Sequence, residues 1–105
     1  MRSYTVRESS HARRDLDAAV SYLVDTLKNV DAAKNLLLEY EKLIASLEGL
    51  PSSHPLVRDE LLAYAGYRWA GFSSYMAFFT VNEEARAVDI HRIFHESRNW
   101  TQLLK

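Results

Sequence analysis

The spacing of apolar residues changes in the middle of the chain, and this change constrains the fold more than any other feature. Up to about residue 50 the apolar residues recur every three or four positions, whereas beyond residue 55 they alternate or form short runs. The first spacing is typical of amphipathic helices and the second of β-strands. Leu50–Pro55 lies between them and contains both prolines, which predicts a loop. Helices followed by strands predict an α+β domain.

A short strand and a long helix are predicted first. Apolar and polar residues alternate over Tyr4–Arg7, which favours a strand, and Ser9 or Ser10 can cap the helix that follows. This helix should end near residues 29–31. Its apolar stripe consists of Leu16, Ala19, Val20, Leu23, Val24 and Leu27.

A second helix should begin at Asp31, which is a plausible N-cap, and stop at Gly49 and Pro51. Its apolar stripe consists of Ala33, Leu36, Leu37, Tyr40, Leu43, Ile44 and Leu47. Because the connection between the two helices is short, they should pack as an antiparallel hairpin.

Three strands are predicted after the loop, at Tyr64–Phe72, Tyr75–Val81 and Ala87–Phe94. The turns between them are short, which favours consecutive antiparallel hairpins. Both faces of the middle strand are largely apolar, so it should be a central strand covered on both sides. A short helix or turn should close the chain at Ser97–Leu104. The predicted order is β-α-α-β-β-β-α, a two-helix hairpin packed on a mainly antiparallel four-stranded sheet, in one domain over residues 1–105.

The composition excludes several classes of site. The chain has 105 residues and no cysteine, so disulfides, thiolate zinc sites and cysteine nucleophiles are excluded. Its net charge of −1 gives no global basic signature for nucleic acid. The three glycines lack the spacing of a phosphate-binding loop, and the four histidines lack the spacing of a zinc-protease motif. We expect no metal and no cofactor. Without a signal peptide or a membrane span, we expect a cytoplasmic protein.

One segment, Asp89–Trp100, concentrates side chains that can bind or react. Arginine binds phosphate through two parallel hydrogen bonds, histidine moves protons near neutral pH, and tryptophan stacks on bases, so together they suit RNA. The candidate residues of this segment are His91, Arg92, His95, Arg98 and Trp100.

A structural interpretation of the same segment stays open. Arg92 and Arg98 could pair with Glu96 or Asp89, while Trp100 docks the tail on the core. Strict alternation also places Arg92 on the same strand face as Ile90 and Phe94. It is therefore either a buried, paired arginine or a residue at a bend in the strand.

Aromatic residues accompany another arginine, Arg68, on a neighbouring predicted strand. Arg68 is a weaker candidate for binding RNA or a partner. The adjacent Tyr67 and Trp69, together with Phe78 and Phe79, are predicted mainly in the core.

An ordered set of motifs over nearly the whole chain resembles the RelE/ParE toxin superfamily. The set comprises Tyr4-x-Val6, Ala12-Arg13-Arg14-Asp15-Leu16, Ile44-x-x-Leu47-x-x-x-Pro51, Gly66-Tyr67-Arg68, Tyr75-Met76-Ala77-Phe78-Phe79 and Arg92-Ile93-Phe94-His95-x-x-Arg98. The resemblance implies the fold predicted above and a cognate antitoxin that wraps the toxin. It also implies one of two activities. RelE-like members cut mRNA in the ribosomal A site, whereas ParE-like members inhibit DNA gyrase and are not nucleases.

The family's functional strand end corresponds to Arg92, His95 and Arg98, which would be the catalytic residues of a nuclease. Ribonuclease members often carry an arginine early in the strand after a Gly-Tyr, where this chain has Ser74-Tyr75-Met76. The sequence narrowly favours an mRNA endonuclease, because His95 and its flanking arginines could transfer a proton and stabilise phosphate charge. A gyrase inhibitor and a family member without toxicity remain as alternatives.

Overall fold

The computed structural model describes residues 3–104. All seven predicted elements are present, together with one further helix. In chain order the elements are β1 (Thr5–Glu8), α1 (Ser10–Ser21), α2 (Val30–Gly49), α3 (Glu60–Tyr64), β2 (Arg68–Phe72), β3 (Tyr75–Asn82), β4 (Ala87–His95) and α4 (Trp100–Leu104). Over the described residues, no helix combines the length and the apolar character that a membrane crossing requires.

The four strands form one sheet in the order β1-β4-β3-β2. The strands β2, β3 and β4 are joined as antiparallel hairpins, and β1 lies parallel to β4 at the edge. A tight turn can join only antiparallel strands. The parallel pairing of β1 and β4 is possible because a long stretch of chain, from α1 to β3, connects these two strands. The predicted fold, a helical hairpin on a mainly antiparallel four-stranded sheet, is confirmed.

The helix α1 begins where it was predicted and ends differently. The Ser9 hydroxyl accepts a hydrogen bond from the Ala12 N–H, which is an N-cap, and donates to the His91 carbonyl oxygen of β4. The predicted regular helix instead passes into one π-helical turn at Tyr22–Thr26. There the Leu27 N–H donates to the Tyr22 carbonyl oxygen five residues earlier.

The helix α2 is capped by Asn29 and not by the predicted Asp31. The Asn29 side chain accepts a hydrogen bond from the Ala32 N–H. Asp31 lies in the first helical turn, where its negative charge interacts favourably with the positive end of the helix dipole. Lys28 just before the cap has a φ of 53°. The left-handed backbone conformation of Lys28 turns the chain just before Asn29, so α2 is capped two residues earlier than predicted.

The helix α3 was not predicted, and the strand that follows it is shorter than expected. Residues 64–67, predicted as strand, form the end of α3 and a turn. The Asp59 side chain caps α3 by accepting from the Leu62 N–H, and Gly66, with a φ of 93°, turns the chain into β2.

The core has two parts, one on each face of the sheet. On the hairpin side, Phe79 and Ile90 pack with Leu16 and Leu36 of the helices. On the opposite side, Phe78 packs with other buried residues, namely Val57, Leu62 and Phe94. Phe78 and Phe79 are both fully buried, so β3 is a central strand covered on both faces, as predicted. Tyr67 and Trp69 are half-buried at the margin of the second part.

Candidate functional site

A cleft of about 220 Å³ opens between α1 and the end of β4. The strand β1 pairs with β4 only as far as Ile90, so the last residues of β4 have α1 as their neighbour on that side. The polar residues of the cleft are Asp15, Tyr22, Tyr75, Arg92, His95 and Arg98. The cleft therefore contains all three residues predicted as catalytic.

A β-bulge determines how Arg92 enters the cleft. Phe78 of β3 pairs with Arg92, and the next residue, Phe79, pairs with Ile90, so His91 is an extra residue in β4. A bulge shifts the alternation of side chains by one residue and bends the strand. For this reason Ile93, and not Arg92, joins the core under the helices. Of the two alternatives for Arg92, the bend in the strand is therefore present.

The guanidinium of Arg92 is held by Asp15 of α1. Arg92 Nε and Nη2 donate to the two carboxylate oxygens of Asp15 at 2.8 and 3.0 Å. The Ile93 N–H donates to the same carboxylate at 3.0 Å, where a neighbouring strand would otherwise accept it. These hydrogen bonds raise the pKa of Arg92. Arg92 is thus paired, as the second alternative required, but it is half-buried and not buried, and its partner is Asp15 in place of Asp89 or Glu96. Asp89 pairs with Arg7.

The His95 side chain is held by hydrogen bonds to Ser97, two residues later in the chain. Its Nδ1 accepts a hydrogen bond from the Ser97 N–H at 3.1 Å and lies 2.8 Å from the Ser97 hydroxyl. An N–H can only donate, so Nδ1 is the acceptor in this hydrogen bond, and Nε2 is the ring nitrogen that does not bond to Ser97. The ring packs edge-on against Tyr75, with 5.2 Å between the ring centroids.

Arg98 and two tyrosines complete the wall of the cleft. Arg98 is exposed and forms no ion pair with any residue in the described range 3–104. Tyr22, the first residue of the π-helical turn, has 51% of its surface exposed. Burial raises the pKa of Tyr75, with a smaller contribution from Tyr22 nearby. An adjoining cleft of about 240 Å³ shares Tyr22, Tyr75 and His95, so this surface continues toward the tip of the helical hairpin.

Three further residues, His91, Trp100 and Arg68, were predicted to bind RNA or a partner, and all three lie outside the cleft. The His91 ring packs against Tyr67, and its Nε2 lies 2.8 Å from the Thr80 hydroxyl. Burial lowers the pKa of His91. The Trp100 ring stacks on Phe78 on the sheet face opposite the hairpin. Trp100 thus packs the tail on the core, as the structural interpretation described.

Arg68 lies on β2, at the edge of the sheet away from β1. It donates to the carbonyl oxygen of His54 at 2.6 Å and to that of Ser52 at 3.4 Å, which fixes the loop before α3. Burial and the nearby Arg68 lower the pKa of His54. A binding role for Arg68, His91 or Trp100 stays a prediction, separate from the cleft.

Sequence reasoning missed Asp15, Tyr22 and Tyr75 as site residues. Asp15 lies three residues after the buried Ala12 and four before the buried Ala19, within the apolar stripe of α1. A carboxylate in such a stripe needs a partner, and this signal was available in the sequence. Among residues 3–104, no group of three metal-binding side chains is present.

Comparisons with known proteins agree with this fold. The model of the ParE toxin of type II toxin–antitoxin systems, parDE, matches residues 6–100. No curated protein matches the chain. The structure of a chromosomal ParDE toxin–antitoxin system from P. aeruginosa contains a similar chain, with 19% identity and a TM-score of 0.69 over 89% of this chain and 96% of that one. The RelBE2 toxin–antitoxin complex from Mycobacterium tuberculosis contains another, with 24% identity and a TM-score of 0.52 over 89% of this chain and 98% of that one.

These two structures share the fold at low sequence identity, and the family model spans almost the whole chain. The predicted membership of the RelE/ParE superfamily is confirmed, and the chain belongs to the ParE family of type II toxin–antitoxin toxins.

Proposed function

We propose that this toxin arrests growth by binding DNA gyrase and inhibiting it, without cutting RNA. ParE-like toxins are the gyrase inhibitors of the superfamily, and the family model favours this side of it. The observation that carries the proposal is the Arg92–Asp15 ion pair, because it occupies the arginine that a nuclease would direct at phosphate.

Phosphodiester cleavage needs positive charge that is free to stabilise the phosphate in the transition state. The charge of Arg92 is compensated by Asp15, which accepts two hydrogen bonds from its guanidinium. A phosphate that approached Arg92 would have to displace a carboxylate that the Ile93 N–H also holds. It would also meet the negative charge of Asp15 in a cleft with few other cations.

The hydrogen bonding of His95 argues in the same direction. A general base must accept the proton of the attacking 2′-hydroxyl. Nδ1 of His95 is the acceptor of the Ser97 N–H, so this nitrogen is not available to take that proton. The ring tautomer that fits this hydrogen bond has its own N–H at Nε2, from which it can donate a hydrogen bond to a partner. This arrangement suits recognition better than catalysis.

The remaining cleft residues suit a protein partner. Tyrosine and arginine are enriched among the residues that contribute most to protein–protein binding. Tyr22 and Arg98 are exposed, and Arg98 has no ion pair within the range 3–104. We propose Arg98, Tyr22 and His95 as the gyrase-contacting residues of this surface.

An mRNA endonuclease is the second candidate, and one observation favours it. His95, Arg98 and Tyr75 converge on one cleft. A protonated His95 could give a proton to the leaving oxygen while Arg98 stabilises the phosphate. This mechanism would leave Arg92 in a structural role.

A cognate antitoxin is the second proposed partner. Both structural relatives come from toxin–antitoxin assemblies, which supports a partner of this kind here. We expect the gene adjacent to this one to encode the antitoxin, which should bind the toxin tightly and restore growth.

The test expresses the chain in bacteria with and without the product of the adjacent gene. We expect growth arrest that the adjacent gene relieves, with cellular transcripts intact in primer-extension maps of their 5′ ends. Arg98→Glu should reduce toxicity, whereas Arg14→Glu makes the same charge change on an exposed arginine outside the cleft and should not.

New transcript ends that disappear in His95→Ala and Arg98→Ala would favour the endonuclease and overturn the gyrase proposal. Normal growth at verified soluble expression would instead indicate a family member without toxicity.

A further inference from the structure

A second pocket lies on the sheet face opposite the helical hairpin. Its volume is about 260 Å³, and its walls are Arg58, Trp69, Met76 and Trp100. Trp69 and Trp100 are the only two tryptophans of the chain, and both are half-buried. Tryptophan, methionine and arginine are enriched in protein interfaces, and tryptophan and arginine dominate the residues that contribute most to binding.

Exposed apolar side chains are also present on α3, the helix that follows Arg58 in the chain. The helix begins two residues after Arg58 and contributes the buried Leu62 to the core beneath it. Leu61 and Tyr64 of the same helix are 73% and 94% exposed, so they contribute little to the packing of this domain. Leu61 and Tyr64 are three residues apart, so they lie on neighbouring positions of one helix face, and exposed apolar side chains grouped on one face favour an interaction surface.

Charge around the pocket distinguishes between classes of partner. Arg58 is exposed and has no carboxylate partner within residues 3–104, so its guanidinium is available to pair with a carboxylate of another protein. The next two residues, Asp59 and Glu60, are acidic, which disfavours a polyanion such as a nucleic-acid backbone. The Trp100 ring already stacks on Phe78, with 5.2 Å between centroids and 30° between planes, so one of its faces is not free for a base.

The pocket lies at the same end of the sheet as the cleft, on the other face. Met76 follows Tyr75 of the cleft along β3, and Trp100 comes two residues after Arg98. One partner that reaches around this end of the sheet could contact both surfaces.

We propose that this pocket is a second contact surface for the target protein. It takes a segment that presents one bulky apolar side chain to Trp69 and Trp100 and, beside it, a carboxylate to Arg58. The inference rests on the proposed function, in which that target is DNA gyrase.

The test measures inhibition of supercoiling by purified gyrase with two variants of exposed residues, Arg58→Glu and Leu61→Ser. Each should raise the toxin concentration for half-inhibition about tenfold, as expected for the loss of one strongly contributing contact. Arg14→Glu is the matched control, because it makes the same charge change on an exposed arginine of α1 that does not line the pocket, and it should shift that concentration less than about twofold.

A second measurement reports on the pocket directly. Toxin in which 5-hydroxytryptophan replaces both tryptophans can be excited selectively in the presence of gyrase. Since both tryptophans line the pocket, bound gyrase should protect this fluorescence from quenching by acrylamide. Arg58→Glu should require a higher gyrase concentration for the same protection.

Each other outcome has a distinct meaning. If the unaltered toxin fails to inhibit gyrase, both the proposed function and this inference fail. If the unaltered toxin inhibits while Arg58→Glu and Leu61→Ser are equally potent, only this inference is overturned. It is also overturned if these variants lose affinity for the antitoxin with inhibition unchanged, or if a single-stranded oligonucleotide alone protects the fluorescence.

Discussion

Removing the Asp15 carboxylate should destabilise the fold more than any other single change at a charged residue near the cleft. Asp15 accepts three hydrogen bonds at 2.8, 3.0 and 3.0 Å, and its side chain is 17% exposed. Hydrogen bonds to charged groups each contribute about 1.5–3 kcal/mol, and breaking a fully buried ion pair costs about 3–5 kcal/mol. The Arg92 side chain is 30% exposed and can regain some water. We therefore expect Asp15→Ala to cost about 2–3 kcal/mol and to lower Tm by about 10–20 °C.

The assay is a double-mutant cycle of Asp15→Ala and Arg92→Ala, followed by urea unfolding and thermal melting. The two changes should be coupled by about 1–2 kcal/mol, because each removes the partner of the other. Asp17→Ala is the control: Asp17 lies on the same helix in an exposed pair with Arg13, so its loss should cost less than about 0.5 kcal/mol. Additive effects of Asp15→Ala and Arg92→Ala would refute the role assigned to this ion pair.

Three further predictions concern stability. Phe78→Ala and Phe79→Ala should each cost about 3–5 kcal/mol in urea unfolding, because both rings are fully buried on opposite faces of the sheet; unchanged melting of both would contradict the sheet assignment. Lys28→Gly should stabilise the protein by about 0.5–1 kcal/mol, because a side chain at a φ of 53° is strained; a lower Tm would contradict this. Burial holds the pKa of His91 and of His54 below the ordinary histidine value of 6.5. The unfolded state therefore binds protons more readily, so stability should be complete above about pH 6.5 and decrease as the pH falls. His91→Asn should flatten this dependence, and an unchanged slope would contradict it.

The sequence predicted those parts of the fold that depend on apolar spacing. The two apolar faces of β3 are buried as predicted. In α2 five of the seven predicted stripe residues are buried, whereas Ile44 is partly buried and Leu37 is exposed at the edge of the stripe. The missed element, α3, has only five residues, too few to show a period. The cap of α2 was misplaced because Asn29 and Asp31 are both good caps, and the left-handed Lys28 decides between them.

The site was harder to predict because it depends on contacts between distant residues. Asp15 and Arg92 are separated by 77 positions, and the shape of the fold brings them together. The bulge at His91 reverses the alternation for the end of β4, so a strand pattern alone assigns Arg92 to the wrong face. Arg98 and His95, in contrast, lie close together in sequence, and their convergence could be predicted from spacing.

We propose that the cleft of this toxin recognises gyrase and does not cut RNA. A supercoiling assay tests this proposal with purified components: the toxin is added to gyrase and relaxed plasmid DNA, and supercoiling is followed on gels. We expect a dose-dependent loss of supercoiling that Arg98→Glu weakens and Arg14→Glu does not. Full gyrase activity at saturating toxin, from a preparation that arrests growth when expressed, would contradict it.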